Sequence, residues 1–110
     1  MDIEGIPYLN VDWNAIPEEV HEGERGVAKW KRFEQGNVRA RIVEYSPGYL
    51  ANHWCARGHV LFVLEGSLVS ELKDGSKRLL TPGMGYVASN DEDNPHRSYT
   101  ESGAKLFIVD

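Results

Sequence analysis

Four histidines and one cysteine are the side chains of this 110-residue sequence best suited to hold a metal ion or move a proton. Three of the histidines stand where spacing gives them meaning. In His53-Trp54-Cys55 an imidazole and a thiol lie at i and i+2, so they share a face wherever the segment is extended. His59 follows across Ala56-Arg57-Gly58 at the start of an apolar run, and His96 comes directly after Asn94-Pro95. Neutral imidazole and thiolate are donors that suit a transition ion, and side chains of adjacent strands can converge on one. Each residue taken singly has a plainer reading. A histidine in a β protein is commonly a packed, hydrogen-bonded side chain, and a free cysteine behaves as a small buried hydrophobe. His21, inside Glu18-Glu19-Val20-His21-Glu22-Gly23-Glu24, reads as a surface residue.

Other residues offer binding chemistry. Arg39 and Arg41 share one face of an alternating segment, where they either clamp an acidic ligand or, as the plainer expectation, face solvent. Arg41, Tyr45 and Tyr86 are the candidate substrate-binding side chains. Tyr49 and Trp54 line a cavity or simply fill core, and Trp54 alternates away from His53 and Cys55. The acidic run at 90–94 reads as a solvated loop, with Arg57 and Arg97 as partners for it. No Ser-His-Asp order, phosphate loop or dinucleotide fingerprint is present, and no paired general acid and base adjoins the histidines.

Strands must position these residues. Residues 27–33 mix β-formers with basic side chains, and 38–45 alternate, with Val38, Ala40 and Ile42 on one face and the arginines on the other. Gln35-Gly36-Asn37 supplies the turn between them. Residues 60–64 are apolar on both faces, which predicts a strand covered on both sides. Further strands are predicted at 67–72, 77–80, 85–88 and 104–109, with Asp74-Gly75 as a hairpin turn and Thr81-Pro82-Gly83 as another. Helix signals are thin. Asp12 caps at most a turn that Pro17 limits, and 18–24 is mostly charge. Short strands divided by Gly- and Pro-containing turns predict an all-β, antiparallel sandwich or barrel.

Composition narrows the function. With 41% hydrophobic residues the chain can build one core, and its length suits a single domain. Residues 1–24 read as an extension packing on a barrel formed by 25–110. A formal charge of −5 argues against nucleic acid and anionic membrane surfaces as partners. A single cysteine excludes an intramolecular disulfide, and the first residues carry neither a basic nor an apolar signal region, so a cytoplasmic protein is expected. The two-faced strand at 60–64 and the apolar residues Ile6, Tyr8, Leu9, Val11, Trp13 and Ile16 exceed what a small barrel covers, which predicts a homodimer.

The stretch from Gly48 through His53-Trp54-Cys55-Ala56-Arg57-Gly58-His59 to Gly66 resembles the first motif of the cupins: Gly, His-x-His, a short gap, Glu, then six residues and Gly. Six residues separate His59 from Gly66, and Pro82-Gly83 with Pro95-His96 resemble the second motif. Cys55 stands where that pattern has its second His, His59 where it has Glu, and Arg97-Ser98-Tyr99-Thr100 where an Asn often follows the last His. The chain more closely resembles the small single-domain cupins named for a DHCW motif, through Asn52-His53-Trp54-Cys55, Gly58-His59 and the string from Gly103 to Asp110. Asn52 replaces the Asp of that motif. The resemblance implies a jelly-roll barrel in which His53, His59 and His96 bind a divalent transition metal, with Cys55 as a candidate fourth ligand. Exchanging Glu for His favours Zn, Ni, Cu or Fe over Mg or Ca. A ligating Cys55 would close a tetrahedral set, as in structural zinc sites, whereas a Cys55 that stands off would leave a position open for Lewis-acid or O₂ chemistry. Two functions follow and both stay open: a dioxygenase- or isomerase-like enzyme acting on a small molecule, or a non-enzymatic module that binds or senses one. A third reading has the histidines coupled by hydrogen bonds with no metal.

Overall fold

A computed structural model describes residues 1–110. The alternating and apolar runs become strands: β1 (Glu19–Glu22), β2 (Val27–Gln35), β3 (Val38–Tyr45), β4 (His59–Gly66), β5 (Leu68–Leu72), β6 (Lys77–Leu80), β7 (Gly85–Ala88), β8 (His96–Tyr99) and β9 (Ala104–Val109). A single 3₁₀ turn, Trp13–Ala15, is capped by Asp12, whose side chain accepts a hydrogen bond from the Asn14 N–H. The strands form two antiparallel sheets, one of six strands in the order β1-β2-β3-β9-β4-β7 and one of three in the order β6-β5-β8. The fold class is therefore the predicted one, an all-β antiparallel barrel of jelly-roll type. No helix is long and apolar enough to cross a membrane.

Local chemistry explains the connections. The β2–β3 hairpin turns through Gly36, whose positive φ of 56° glycine adopts without strain and where a Cβ would collide with the Glu4 carbonyl oxygen. Asn37 ties the N-terminal segment to that turn: its Nδ2 donates to the Asp2 carbonyl and its Oδ1 accepts from the Glu4 N–H. Trp13 sets its ring edge-on to Phe107, 5.8 Å between centroids, on the outward face of the six-stranded sheet. At Gly66 the chain leaves that sheet for the smaller one. A Cβ there would stand 2.1 Å from the Gly103 carbonyl oxygen.

The core lies between the sheets. Val43, Leu61, Val63, Leu106 and Ile108 face Leu68 and Leu80 of the smaller sheet, all of them buried. The structure departs from the sequence reading in four places. β4 is covered on one side only: Leu61 and Val63 are buried while Val60, Phe62 and Leu64 are exposed. The alternation of β3 holds, but its arginine face turns inward, and Arg41 is only 6% exposed. β1 forms within the charged segment, as an edge strand whose register with β2 sets Val20 opposite Lys29 and His21 opposite Ala28. β8 forms at His96–Tyr99, where the sequence lacks an apolar alternation and instead buries Ser98 against Ser70 of β5.

Leu106 is fully buried at the centre of β9, between β3 and β4. Leu106→Ala is expected to cost about 2–5 kcal/mol of stability, the usual range for a leucine cut from a packed core. Urea unfolding measures it.

Candidate functional site

One cavity of about 180 Å³ between the sheets is lined by all the sequence-predicted donors and by the three candidate binding residues: His53, Cys55, His59, His96, Arg41, Tyr45 and Tyr86. A larger surface groove of about 440 Å³, lined by Lys29, Glu44, Ser46 and Lys105 among others, holds no imidazole or thiol. Chemistry, rather than size, picks out the site.

Each donor is placed by backbone pairing. His59 opens β4 opposite Ala88 of β7, and its Nε2 lies 2.7 Å from the Tyr86 hydroxyl. His96 opens β8, and an isolated bridge sets it against Cys55: the Cys55 N–H donates to the His96 carbonyl at 2.7 Å and the His96 N–H to the Cys55 carbonyl at 2.9 Å. The His59 and His96 rings meet edge to face, 4.9 Å between centroids. His53 is exposed at the cavity rim, its Nδ1 lying 2.8 Å from Asn52 Oδ1. The Asn52 amide donates through Nδ2 to the Glu22 carbonyl of β1, which fixes its oxygen toward His53. His53 Nδ1 is then the protonated nitrogen, and its Nε2 carries the lone pair.

A charged cluster adjoins the histidines. Asp110 continues the β3–β9 ladder through paired backbone hydrogen bonds with Arg39, and its side chain is 2% exposed. Arg39 donates to both carboxylate oxygens, Nε to Oδ1 and Nη2 to Oδ2, each at 2.8 Å, and Arg41 Nη2 reaches Oδ2 at 3.3 Å. His59 Nδ1 faces the same Oδ2 at 3.5 Å but has no hydrogen-bond partner. A carboxylate only accepts, so the preferred tautomer of His59 has its proton on Nδ1 and accepts a hydrogen bond from the Tyr86 hydroxyl at Nε2. The Arg41 guanidinium carbon sits 4.5 Å from the centre of the Trp30 ring.

These surroundings set the protonation states. Burial, then the neighbouring His96, lowers the His59 pKa to about 4, against a weaker pull upward from Asp110. Burial, then His53, also lowers His96. Burial raises Tyr86 and Tyr45 well above the usual phenol value, so both remain protonated donors. Burial alone would raise Asp110, but the Arg39 hydrogen bond and the charges of Arg41 and Arg39 outweigh it and hold the carboxylate ionised.

Several residues behave unlike the sequence reading. Arg97 pairs with Glu71, at 2.7 Å from Nη2, and not with the acidic loop, which is solvated as expected and closed by Asp91 accepting from the Asp93 and Asn94 N–H groups. His21 is more than a surface residue: its ring stacks on Trp30 at 4.1 Å and its Nε2 is buried. Trp54, by contrast, stays off the cavity as its alternation away from His53 and Cys55 predicts, with the Lys73 and Arg97 cations each 4.4 Å from its ring centre. Asp110, Trp30 and Asn52 are the functional neighbours that sequence reasoning missed. The signal for Asp110 was its parity with Leu106 and Ile108, which points it inward beside the arginines once β9 is known to pair with β3.

The donor set, three imidazoles and one thiol, fits a transition ion by type. The side chains as placed do not close on a point: no three His, Cys, Asp or Glu groups are arranged to hold a metal ion.

By sequence, no family model and no curated protein matches the chain. Solved structures do. A sugar phosphate isomerase from a cupin superfamily, of Silicibacter pomeroyi, superposes at TM-score 0.71 with 18% identity, over 92% of this chain and 74% of that one. A predicted oxalate decarboxylase from Thermotoga maritima gives TM-score 0.73 with 12% identity, over 92% and 96%. FeII HppE gives 0.72 with 17% identity, over 98% of this chain but 62% of that one, so the chain spans about three fifths of its length. This chain has a cupin fold. At these identities the likeness is one of fold, and the cupin barrel is the frame in which the cavity sits.

Without a bound metal, unfolded histidine takes up its proton near pH 6.5, whereas folded His59 does so only near pH 4. Between those values the unfolded chain binds more protons, so stability falls as pH drops through that window. The groups facing His59 are His96, Tyr86, Asp110, Arg41 and Arg39; His96 shifts the same way, and the carboxylate loses its contribution only at lower pH. Urea midpoints should therefore fall from pH 7 to pH 5, and fall less in His59→Gln. Equal slopes in the two proteins would contradict the assignment.

Proposed function

We propose that this chain is a metal-binding cupin that holds a divalent transition ion (Zn, Ni or Fe) through His53, His59 and His96 and acts on a small molecule in the adjoining cavity. One observation carries this reading: three imidazoles and a thiol, brought in by the 53–55 segment and by the first residues of β4 and β8, line a single cavity. Asn52 adds support. A metal-binding histidine usually donates its other ring N–H to a fixed acceptor, and Asn52 Oδ1 is such an acceptor for His53. The fold neighbours are consistent with it, since they include a sugar phosphate isomerase, a predicted oxalate decarboxylase and an FeII protein.

The chemistry a bound ion supplies is Lewis-acid polarisation of a substrate oxygen or, with iron, a site for O₂. The chain's own groups do the rest. Tyr86 keeps its proton and holds its hydroxyl at His59 Nε2, Tyr45 offers a second protonated phenol, and Leu61 and Ile108 give the cavity part of its apolar wall. Isomerase- or dioxygenase-like turnover is the enzymatic form of this proposal. The direct opposition of Cys55 and His96 across a backbone bridge favours a second form, in which the thiolate completes a closed zinc set and the module binds without turning over.

Elemental analysis of untagged protein purified without chelator, beside a His53→Ala, His96→Ala double variant, tests the ligation. Near-stoichiometric metal in the parent and its loss in the variant are expected. Bound imidazoles must be neutral, so affinity should also fall as pH drops toward the range where the folded ligands take up protons, near pH 4 for His59. A parent that takes up no divalent ion on reconstitution would overturn the proposal.

The outward residues of β4 and the β7 edge are also proposed to pair with a second copy. Phe62 is 45% and Val87 80% exposed, beside Val60, Leu64 and Met84. Light scattering should report a dimer, and Phe62→Asp should shift it to monomer.

A further inference from the structure

Arg41 is a buried cation with donors to spare. It is 6% exposed, its Nε is buried without a hydrogen-bond partner, and its side chain lines the cavity. The only carboxylate within its reach is already committed: Arg39 occupies both oxygens of Asp110 at 2.8 Å, leaving Arg41 a single longer contact at 3.3 Å. No Asp or Glu lines the cavity, and Arg97, which does, is neutralised by Glu71. Two guanidinium groups share one side-chain carboxylate, and Arg41 has the weaker share in a site partly walled by apolar side chains. A buried charge in that state is costly, and a ligand that supplies further acceptors recovers the cost on binding.

We propose that the cavity is an anion site for a small monocarboxylate, whose oxygens take the free donors of Arg41 beside the phenol groups of Tyr45 and Tyr86. The inference rests on the reading that this cavity holds the ligand, and not on the ion. Charge and size choose the class. One guanidinium with free donors suits a monoanion, whereas a phosphate monoester carries about −1.5 to −2 at neutral pH. The cavity of about 180 Å³ accommodates a short-chain acid. Guanidinium recognises carboxylate through paired donors, and the Trp30 face behind Arg41 holds the group in place.

The test is calorimetric titration of the protein, both as purified and after removal of divalent ions, with propionate, its neutral match propionamide, and methyl phosphate. Propionate should bind in the ion-stripped protein, propionamide at least tenfold more weakly, and methyl phosphate more weakly than propionate. Arg41→Gln, with its fold checked by circular dichroism, should lose at least tenfold in propionate affinity, and Arg41→Lys should recover part of it. Equal binding of propionate and propionamide, no propionate binding at all, tighter methyl phosphate, or a folded Arg41→Gln that binds propionate normally would each overturn the assignment. If Arg41→Gln does not fold, the acid–amide comparison in the parent decides. Metal content read on the same samples separates failure of this inference from failure of the metal reading.

Discussion

Two guanidinium groups on the inward face of β3 must be accommodated inside a small barrel, and Asp110 is the side chain that accommodates them. Taking such ions out of water costs several kcal/mol each, which only good geometry and further hydrogen bonds offset. Arg39 meets that condition with a two-point bond to Asp110, and the backbone pair between the same residues keeps the carboxylate in register. The strand order follows from the same constraint. β9 has to lie between β3 and β4, so that a residue one step beyond its end reaches both the arginines and His59.

Much of the frame was legible in the sequence. β2, β3, β5, β6, β7 and β9 lie where alternation, β-formers and Gly or Pro turns place them, because those signals are local. What escaped reading depends on pairing between distant residues. β8 is His-Arg-Ser-Tyr, with no periodic apolar signal, and becomes a strand because β5 offers it a ladder and Cys55 a bridge. β1 is a charged segment that the edge of β2 makes regular. β4 looked covered on both faces because hydrophobicity alone does not say whether a second layer exists. The arginine face of β3 turned inward against its polarity, which nothing within β3 could announce, since the counter-charge lies some seventy residues further along the chain.

The candidate site divides in the same way. The sequence brought together the histidines, Cys55, Arg41, Tyr45 and Tyr86, and the cavity contains all of them. It could not order them. The protonation pattern comes from contacts that no spacing encodes: Tyr86 at His59 Nε2, Asp110 near Nδ1, and burial that keeps both histidines neutral and both phenols protonated. With His59 and His96 neutral, the phenols intact and Arg41 only partly paired, the cavity offers donors to a negative guest before any guest arrives.

The bond from Asn52 to the Glu22 carbonyl has a mechanical consequence. Through it the outermost strand of the large sheet acts as a buttress for the rim imidazole, His53. An edge strand is the part of a sheet that detaches at least cost. Peeling β1 away would release the Asn52 amide to rotate, and with it the orientation of His53, so the rim of the cavity is only as rigid as a four-residue ladder on its outside.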